Sequence, residues 1–224
     1  MKIINASVEV LDQINGDEIL KHIEVVGRTC YKSEDKITPD SSKKFVADLI
    51  KHGHHAMIEH FNISVKFICD RGVSHEIVRH RIASYAQEST RYVNYSKGKF
   101  GSEITVIIPN WFQYDISTYE NAIAYSNWEH IKSAEKQWID VMLNAEKAYL
   151  NLIEIGWIAQ EARSVLPNSL KTEIVVTMNL RELRHFFSLR TAKVAHPQMR
   201  EVAIMLLEEL KGKIPVIFDD IEVK

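Results

Sequence analysis

Residues 61–67 read Phe61-Asn62-Ile63-Ser64-Val65-Lys66-Phe67, with apolar side chains at every second position and polar ones between. A period of two is the signature of a half-buried strand, and this is the clearest one in the chain. Upstream, Ile4, Ala6, Val8 and Val10 alternate with Asn5, Ser7 and Glu9, which predicts another half-buried strand over 4–10. Residues 17–28 read as helix. Pro39 stands where a helix over 39–52 begins, and Gly53 stops it. Downstream of Phe67, 72–81 reads as a short helix. The stretch 84–100 is polar and aromatic with no firm period, irregular or extended, and 104–108 is a β-branched run ended by Pro109.

The longest helix follows. Ile131, Ala134, Trp138, Val141, Ala145, Ala148 and Leu152 step by three and four, one continuous apolar stripe, and Gly156 ends it. A second helical piece runs to 165 and is closed by Pro167, and 173–178 reads as a strand. Asn179 with Glu182 three positions on has the form of a capping box, opening a helix to 190. A last helix over 197–211 carries Met199, Val202, Leu206 and Leu210 on one face. Helices and a few strands without regular alternation predict an α+β fold with an antiparallel β-sheet flanked by helices, one of them long. There is no repeat and no Gly/Ser/Pro-rich linker, so a single domain over 1–224 is expected.

A chain of 224 residues buries a core without disulfides or metal. Apolar residues at 46% and charged residues at 26% exclude a disordered or collagen-like chain. Lys and Arg number 28 against 30 Asp and Glu, a net charge of −2, which argues against a nucleic-acid partner and leaves room for a phosphorylated small molecule. Cys30 and Cys69 form no C-x-x-C pair and are expected as reduced, mostly buried thiols of a cytoplasmic protein. The first ten residues lack the pattern of a signal peptide, and the longest apolar run, 202–207, is far short of the roughly 18 residues of a membrane span, so no membrane partner is expected.

The chain has no G-x-x-x-x-G-K-[ST] loop, no G-x-G-x-x-G fingerprint and no G-x-S-x-G elbow. Four features remain. Residues 76–92, EIVRHRIASYAQESTRY, gather Arg79, His80, Arg81 and Arg91 around Ser84, Ser89 and Thr90. Guanidinium forks with hydroxyls suit phosphates and flat imide edges. In a helix, Arg79 and Arg81 point to nearly opposite sides. The plainer reading is a surface helix with Glu76 paired to Arg79 and His80. Residues 52–60, HGHHAMIEH, hold four histidines and a carboxylate. Metal ligands, capping or core histidines, and contacts to a non-metal cofactor all remain open, since the spacing matches no standard zinc motif. In 179–190, Arg181 and His185 share a face, Leu180, Leu183 and Phe187 form an apolar one, and Arg190 closes the helix. Arg163 stands alone just before Pro167, where an arginine commonly serves a helix dipole.

Arg79-His80-Arg81, seven residues and then Ser89 resemble the signature of the flavin-dependent thymidylate synthases. HGHHAMIEH resembles that family's His-rich stretch, ARSVLP at 162–167 its downstream arginine motif, and NLRELRHFFSLRTAKVAHPQMRE at 179–201 its C-terminal signature. The resemblance covers about residues 50 to 210. It implies reductive methylation of dUMP to dTMP with methylenetetrahydrofolate as one-carbon donor and FAD, reduced by NADPH, as hydride source. It also implies a homotetramer whose active sites are shared between subunits.

Carried over by position, the resemblance makes Arg190 the catalytic residue that activates the uracil ring. It places Glu76, Arg79, Gln87, Ser89, Arg91, Arg163 and Arg190 at dUMP. It places His54, Ala56, Arg79, His80, Arg81, Gln87, Asn179, Leu180, Arg181 and His185 at FAD, and it implies no metal. Two stretches depart from the family pattern. Ala56, Met57 and Ile58 stand where Ser or Thr, Pro and Phe are frequent, so Ala56 offers the flavin only its backbone; Ala86 stands where the extended signature has Asn. Neither cysteine falls in a matched motif, so no cysteine nucleophile is expected. Ser89 is expected to bind and not attack, having no evident base. Two competing readings are a metal-dependent hydrolase on His52, His54, His55 and His60, and an RNA-binding module using Arg79 to Arg91 with Tyr85, Tyr92 and Tyr95 as stacking faces.

Overall fold

The computed structural model describes residues 1–223 and shows an α+β fold, an antiparallel sheet flanked by helices. Strands are numbered along the chain: β1 (Lys2–Ile4), β2 (Ser7–Val10), β3 (Asn62–Asp70), β4 (Ala83–Gln87), β5 (Thr105–Ile107) and β6 (Lys171–Asn179). The helices are α1 (Gly16–Thr29), α2 (Ser41–Lys51), α3 (Arg71–Ile77), α4 (Ile116–Tyr125), α5 (Ser133–Glu154), α6 (Ala159–Ala162), α7 (Leu180–Arg190), α8 (Pro197–Lys213) and α9 (Pro215–Phe218). The main sheet has the order β2-β3-β6-β4, and β1 pairs in parallel with β5. No described helix is long and apolar enough to cross a membrane.

Residues form two compact units. The first comprises Met1–Ala6, Ile68–His75 and Gln87–Ile174; the second comprises Ser7–Phe67, Glu76–Ala86 and the chain from Val175 onward. In the second unit the alternation of β3 buries Ile63, Val65 and Phe67, and that of β6 buries Val176 and Met178. Helix α7 places Leu183, Phe186 and Phe187 on its buried face, and α8 adds Val202, Leu206, Leu207 and Leu210. Phe186 stacks edge-on to Phe187 (5.5 Å) and Phe187 to Phe218 (5.5 Å). This packing fixes the axis of α7, and removing one such ring costs about 3–5 kcal/mol.

The first unit has its own core of Ile3, Ile104, Val106, Tyr119, Ile139, Met142, Tyr149 and Leu170, among others. Here the expected helix stripe is displaced. On α5 the fully buried positions are Glu135, Ile139, Met142 and Tyr149, while Val141 is exposed. Hydropathy misses this face because two of its members are polar and internally satisfied. Tyr119 Oη donates to Glu135 Oε2 (2.9 Å), and Tyr149 Oη accepts from the Tyr95 amide (3.3 Å).

Two further expectations are corrected and a third is made specific. The single strand over 4–10 is two strands, which break at Asn5 and Ala6 and join different sheets. Periodicity reports burial and is blind to a change of pairing partner. Helix α3 ends at Ile77 rather than 81: Tyr85 Oη donates to the carbonyl of Ile77 (3.0 Å) and lies against that of His80, capturing the acceptors at its C-terminal end. Strand β4 lies within the stretch expected to be irregular or extended. It is a sheet edge whose side chains alternate only between exposed and half-buried, so no apolar period marks it. At Gly53 and Gly156, φ values of 73° and 104° give the left-handed turns that stop α2 and α5, as expected.

Candidate active site

Helix α7 begins with Asn179, whose Oδ1 accepts from the Glu182 amide (2.8 Å). The cap sets the register of everything after it. With Leu183, Phe186 and Phe187 buried, the opposite face carries Arg181, His185 and Ser188 into solvent, with Arg184 half-buried beside them. They open onto a cavity of about 820 Å³ in the second unit, also lined by His55, Glu59, Arg79, His80, Arg81, Ile82, Asn179, Glu182, Leu189 and Arg190. That volume lies in the range of cofactor sites. Because α3 has already ended, Arg79 and Arg81 sit in a turn and both face this one cavity, not opposite sides.

Its electrostatics are cationic. Five guanidiniums line it against two carboxylates, Glu59 and Glu182. Three are neutralised: Arg181 by Glu59 (2.5 Å), Arg184 by Asp220 (2.6 Å) and Arg190 by Glu76 (2.6 Å). Arg79 and Arg81 have no ion pair among the described residues. Glu182 meets only His80, so the lining carries two guanidiniums without an ion pair and a net positive charge of one. His80, Glu182 and His185 bring ligand-type atoms within 4.8 Å of one another, but amid these guanidiniums a cation would be repelled.

Arg190 is held on two edges. Its Nε donates to His80 Nε2 (3.1 Å), Nη1 to Glu76 Oε2 (2.6 Å) and Nη2 to the Glu76 carbonyl (3.0 Å). Glu76 thus pairs across to α7, not along its own helix with Arg79 and His80. A guanidinium has five N–H donors, so two remain for a ligand. His80 is buried and its pKa is lowered. Burial is the main cause, the Arg190 and His185 charges add to it, and the contact to Glu182 opposes it.

A second cavity of about 440 Å³ lies in the first unit, lined by Arg71, His75, Thr90, Arg163, Ser164 and Asn168 among others. Arg163 Nη1 donates to Thr90 Oγ1 (3.2 Å), so this arginine serves more than a helix end. Arg71 Nη1 is buried with no hydrogen-bond partner among the described residues. Arg71 and His75 are four apart on α3 and share a face.

Of the residues anticipated from sequence, Arg79, His80, Arg81, Asn179, Arg181, His185 and Arg190 meet at the larger cavity, with Leu180 buried at the start of α7 and Glu76 behind Arg190. His54 and Ala56 fall outside its lining; His55 and Glu59 from the same segment belong to it. Arg163 lines the smaller cavity. Gln87 is occupied internally, donating to Ser74 Oγ (2.9 Å) and Thr172 Oγ1 (3.2 Å). Arg91 is exposed over the Tyr92 ring (5.3 Å). Ser89 Oγ accepts from the Arg91 amide (3.3 Å), and no described histidine bonds it.

Sequence reading missed Arg71 and took Glu182 only as a capping residue, while Glu59 stood within the candidate segment 52–60. For Arg71 the available signal was its position directly after a strand, four residues before His75.

The competing readings fare less well. His52, His54, His55 and His60 are not among the clustered ligand atoms, and His52 Nδ1 lies 2.7 Å from the Asp48 carbonyl. Of the three stacking faces proposed for RNA, Tyr95 is buried and Tyr85 turns its hydroxyl inward, leaving Tyr92. Cys69 is buried, as expected, and burial pushes its thiol to about 12; Cys30, expected buried, is exposed.

The family model described as "Thymidylate synthase complementing protein" matches residues 9–216. Flavin-dependent thymidylate synthases similar to the chain include that of Pyrococcus furiosus, 36% identical over 82% of this chain and 68% of the relative. That of Geobacter sulfurreducens is 34% identical over 88% and 80%, and that of Corynebacterium glutamicum 31% over 98% and 85%. The fold is shared with the crystal structure of a UMP/dUMP methylase, PolB, from Streptomyces cacaoi bound with 5-Br dUMP. Its TM-score is 0.75 at 22% identity, covering 98% of this chain and 96% of that one.

Proposed function

The chain belongs to the flavin-dependent thymidylate synthases, and on that premise we propose that it converts dUMP to dTMP, with methylenetetrahydrofolate as one-carbon donor and FAD, reduced by NADPH, as hydride source. The observation that carries this reading is the pair of guanidiniums without an ion pair among the described residues, Arg79 and Arg81, facing one cavity of cofactor size. Two negative charges close together, as on a pyrophosphate, are what such a lining fits. Asn179, Arg181 and His185 supply further polar groups around it. When bound, the flavin supplies the hydride that completes the new methyl group.

The chain's own part is binding and charge control. Arg190 offers its two remaining N–H groups to the N3 and O2 edge of the uracil. There the fixed cation holds the negative charge left when N3 gives its proton to solvent water, which makes C5 electron-rich. Glu76 and His80 hold that guanidinium, so little reorganisation is needed when the charge develops. In the smaller cavity Arg163, Thr90 and Arg71 fit a phosphate monoester, which would supply the acceptor that the buried Arg71 Nη1 lacks. No thiolate is needed: the Cys69 thiol is protonated at neutral pH. Ser89 binds and does not attack.

The reading includes a homotetramer with sites shared between subunits, as the family resemblance implies, acting in the cytoplasm. The exposed apolar side chains Ile82 and Leu189 on the rim of the larger cavity support cover by a neighbouring chain. The test is a titration of purified protein with FAD and then dUMP. Flavin absorbance retained through gel filtration and perturbed by dUMP supports the proposal. A colourless protein with stoichiometric zinc refutes it.

A further inference from the structure

Glu182 is assigned to neither ligand set, yet it is buried and its carboxylate turns toward the site. At the third position of α7 a glutamate ordinarily reaches back to the backbone of the capping residue. Here Oε1 instead lies 3.1 Å from His80 Nδ1. His80 in turn lies between Glu182 and Arg190, with Nε2 3.1 Å from Arg190 Nε. Both His80 and Glu182 are less than a tenth exposed, so both contacts are largely shielded from solvent.

Proton positions follow from donor chemistry. Arg190 Nε always carries a hydrogen. His80 Nε2 must therefore accept, which leaves its proton on Nδ1, and that proton must be donated to Glu182. A proton on Nε2 would set donor against donor at Arg190. We propose that Glu182 is a positioning residue for the reaction: it holds His80 as the neutral Nδ1-H tautomer, so that Nε2 aligns the Arg190 guanidinium on the uracil edge. This rests on the reading of Arg190 as the activating residue. The ionisable groups that face His80 are Glu182, His185 and Arg190 on α7, with Glu76 beyond Arg190, and Tyr85 Oη lies at its carbonyl. The lowered His80 pKa agrees with a neutral ring.

The test is long-range proton–nitrogen NMR of His80 in flavin-loaded protein carrying nitrogen-15 histidine, with dTMP turnover in parallel. The wild type should show Nδ1 protonated and Nε2 bare at neutral pH. Glu182→Ala should lose that tautomer and reduce kcat by about tenfold to a hundredfold, the usual cost of losing a partner that orients a functional histidine, with KM for dUMP little changed. Glu182→Gln, whose amide oxygen accepts the same bond, should keep the tautomer and recover most of kcat. A wild-type ring protonated on Nε2 or on both nitrogens overturns the proposal, and so does an alanine variant with wild-type kcat. If the wild type makes no dTMP, the proposed function fails, while the spectrum still decides the tautomer. If Glu182→Ala does not fold, the wild-type spectrum and Glu182→Gln still decide it.

Discussion

Replacing Arg190 by lysine keeps one positive charge and removes the planar fork. Arg190 spreads three bonds over three nitrogens, to His80 Nε2, Glu76 Oε2 and the Glu76 carbonyl. A lysine ammonium is a single point on a shorter reach. It can keep the Glu76 carboxylate but cannot also meet His80 and present two parallel donors to a uracil edge. Losing a positioned donor at a site of developing charge costs about 10²–10³ in kcat, roughly 2.7–4 kcal/mol. The stability loss is smaller. The side chain of Arg190 is 18% exposed and that of Glu76 33%, so the pair is partly screened. The hydrogen bonds to His80 and to the Glu76 carbonyl are lost and the charge is retained, which amounts to about 2 kcal/mol. In a chain of this size that lowers Tm by about 4–8 °C. Steady-state dTMP formation and thermal unfolding, measured on the same preparation, separate the two effects. An Arg190→Lys enzyme with turnover within about twofold of wild type would refute the placement of the activating residue. A loss of turnover no larger than the loss of folded protein would refute the charge argument.

Asn179→Ala should remove the cap of α7 and lower the unfolding free energy by about 1 kcal/mol, read as a shifted urea midpoint at unchanged slope; an unchanged midpoint would mean that the cap is not made in solution. Arg71→Leu removes a buried donor without a partner, so stability should hold or rise while KM for dUMP increases about tenfold to a hundredfold; unchanged KM would take Arg71 out of the phosphate site. His80 has a lowered pKa when folded, so below its ordinary value of 6.5 the unfolded chain takes up a proton that the folded one resists. Stability should therefore fall as pH drops from 6.5 toward the folded pKa, and less so in His80→Gln; identical pH slopes would contradict a buried neutral ring.

Much of the fold was legible because the strongest periodicities coincide with burial. β3 and β6 alternate as their residues do, and α7 separates Leu183 and Phe187 from Arg181 and His185. What was not legible lay where polar residues do the packing or where partners are remote in sequence. Glu135 and Tyr149 sit on the buried face of α5, and hydropathy counts them against it. β4 is an edge strand with nothing to alternate. Helix α4 escaped notice although Asp115 caps it, accepting from the Thr118 amide (3.0 Å), because only Tyr119 and Ala122 are buried on it. The site was half legible for the same reason. Arg79, Arg81 and Arg190 stand out as residue types, but local spacing assigned Glu76 to its helical neighbours, whereas the fold gives it to Arg190, 114 positions away. The chain from Glu182 through His80 to Arg190 links residues 102 and 110 positions apart, which no local pattern encodes.

The most direct measurement is product formation by the purified, flavin-loaded protein given dUMP, methylenetetrahydrofolate and NADPH. The account predicts dTMP with tetrahydrofolate as coproduct, lost when either the reductant or the flavin is withheld and lost in Arg190→Ala. A folded, flavin-loaded protein that makes no dTMP, or that makes it without flavin, would contradict it.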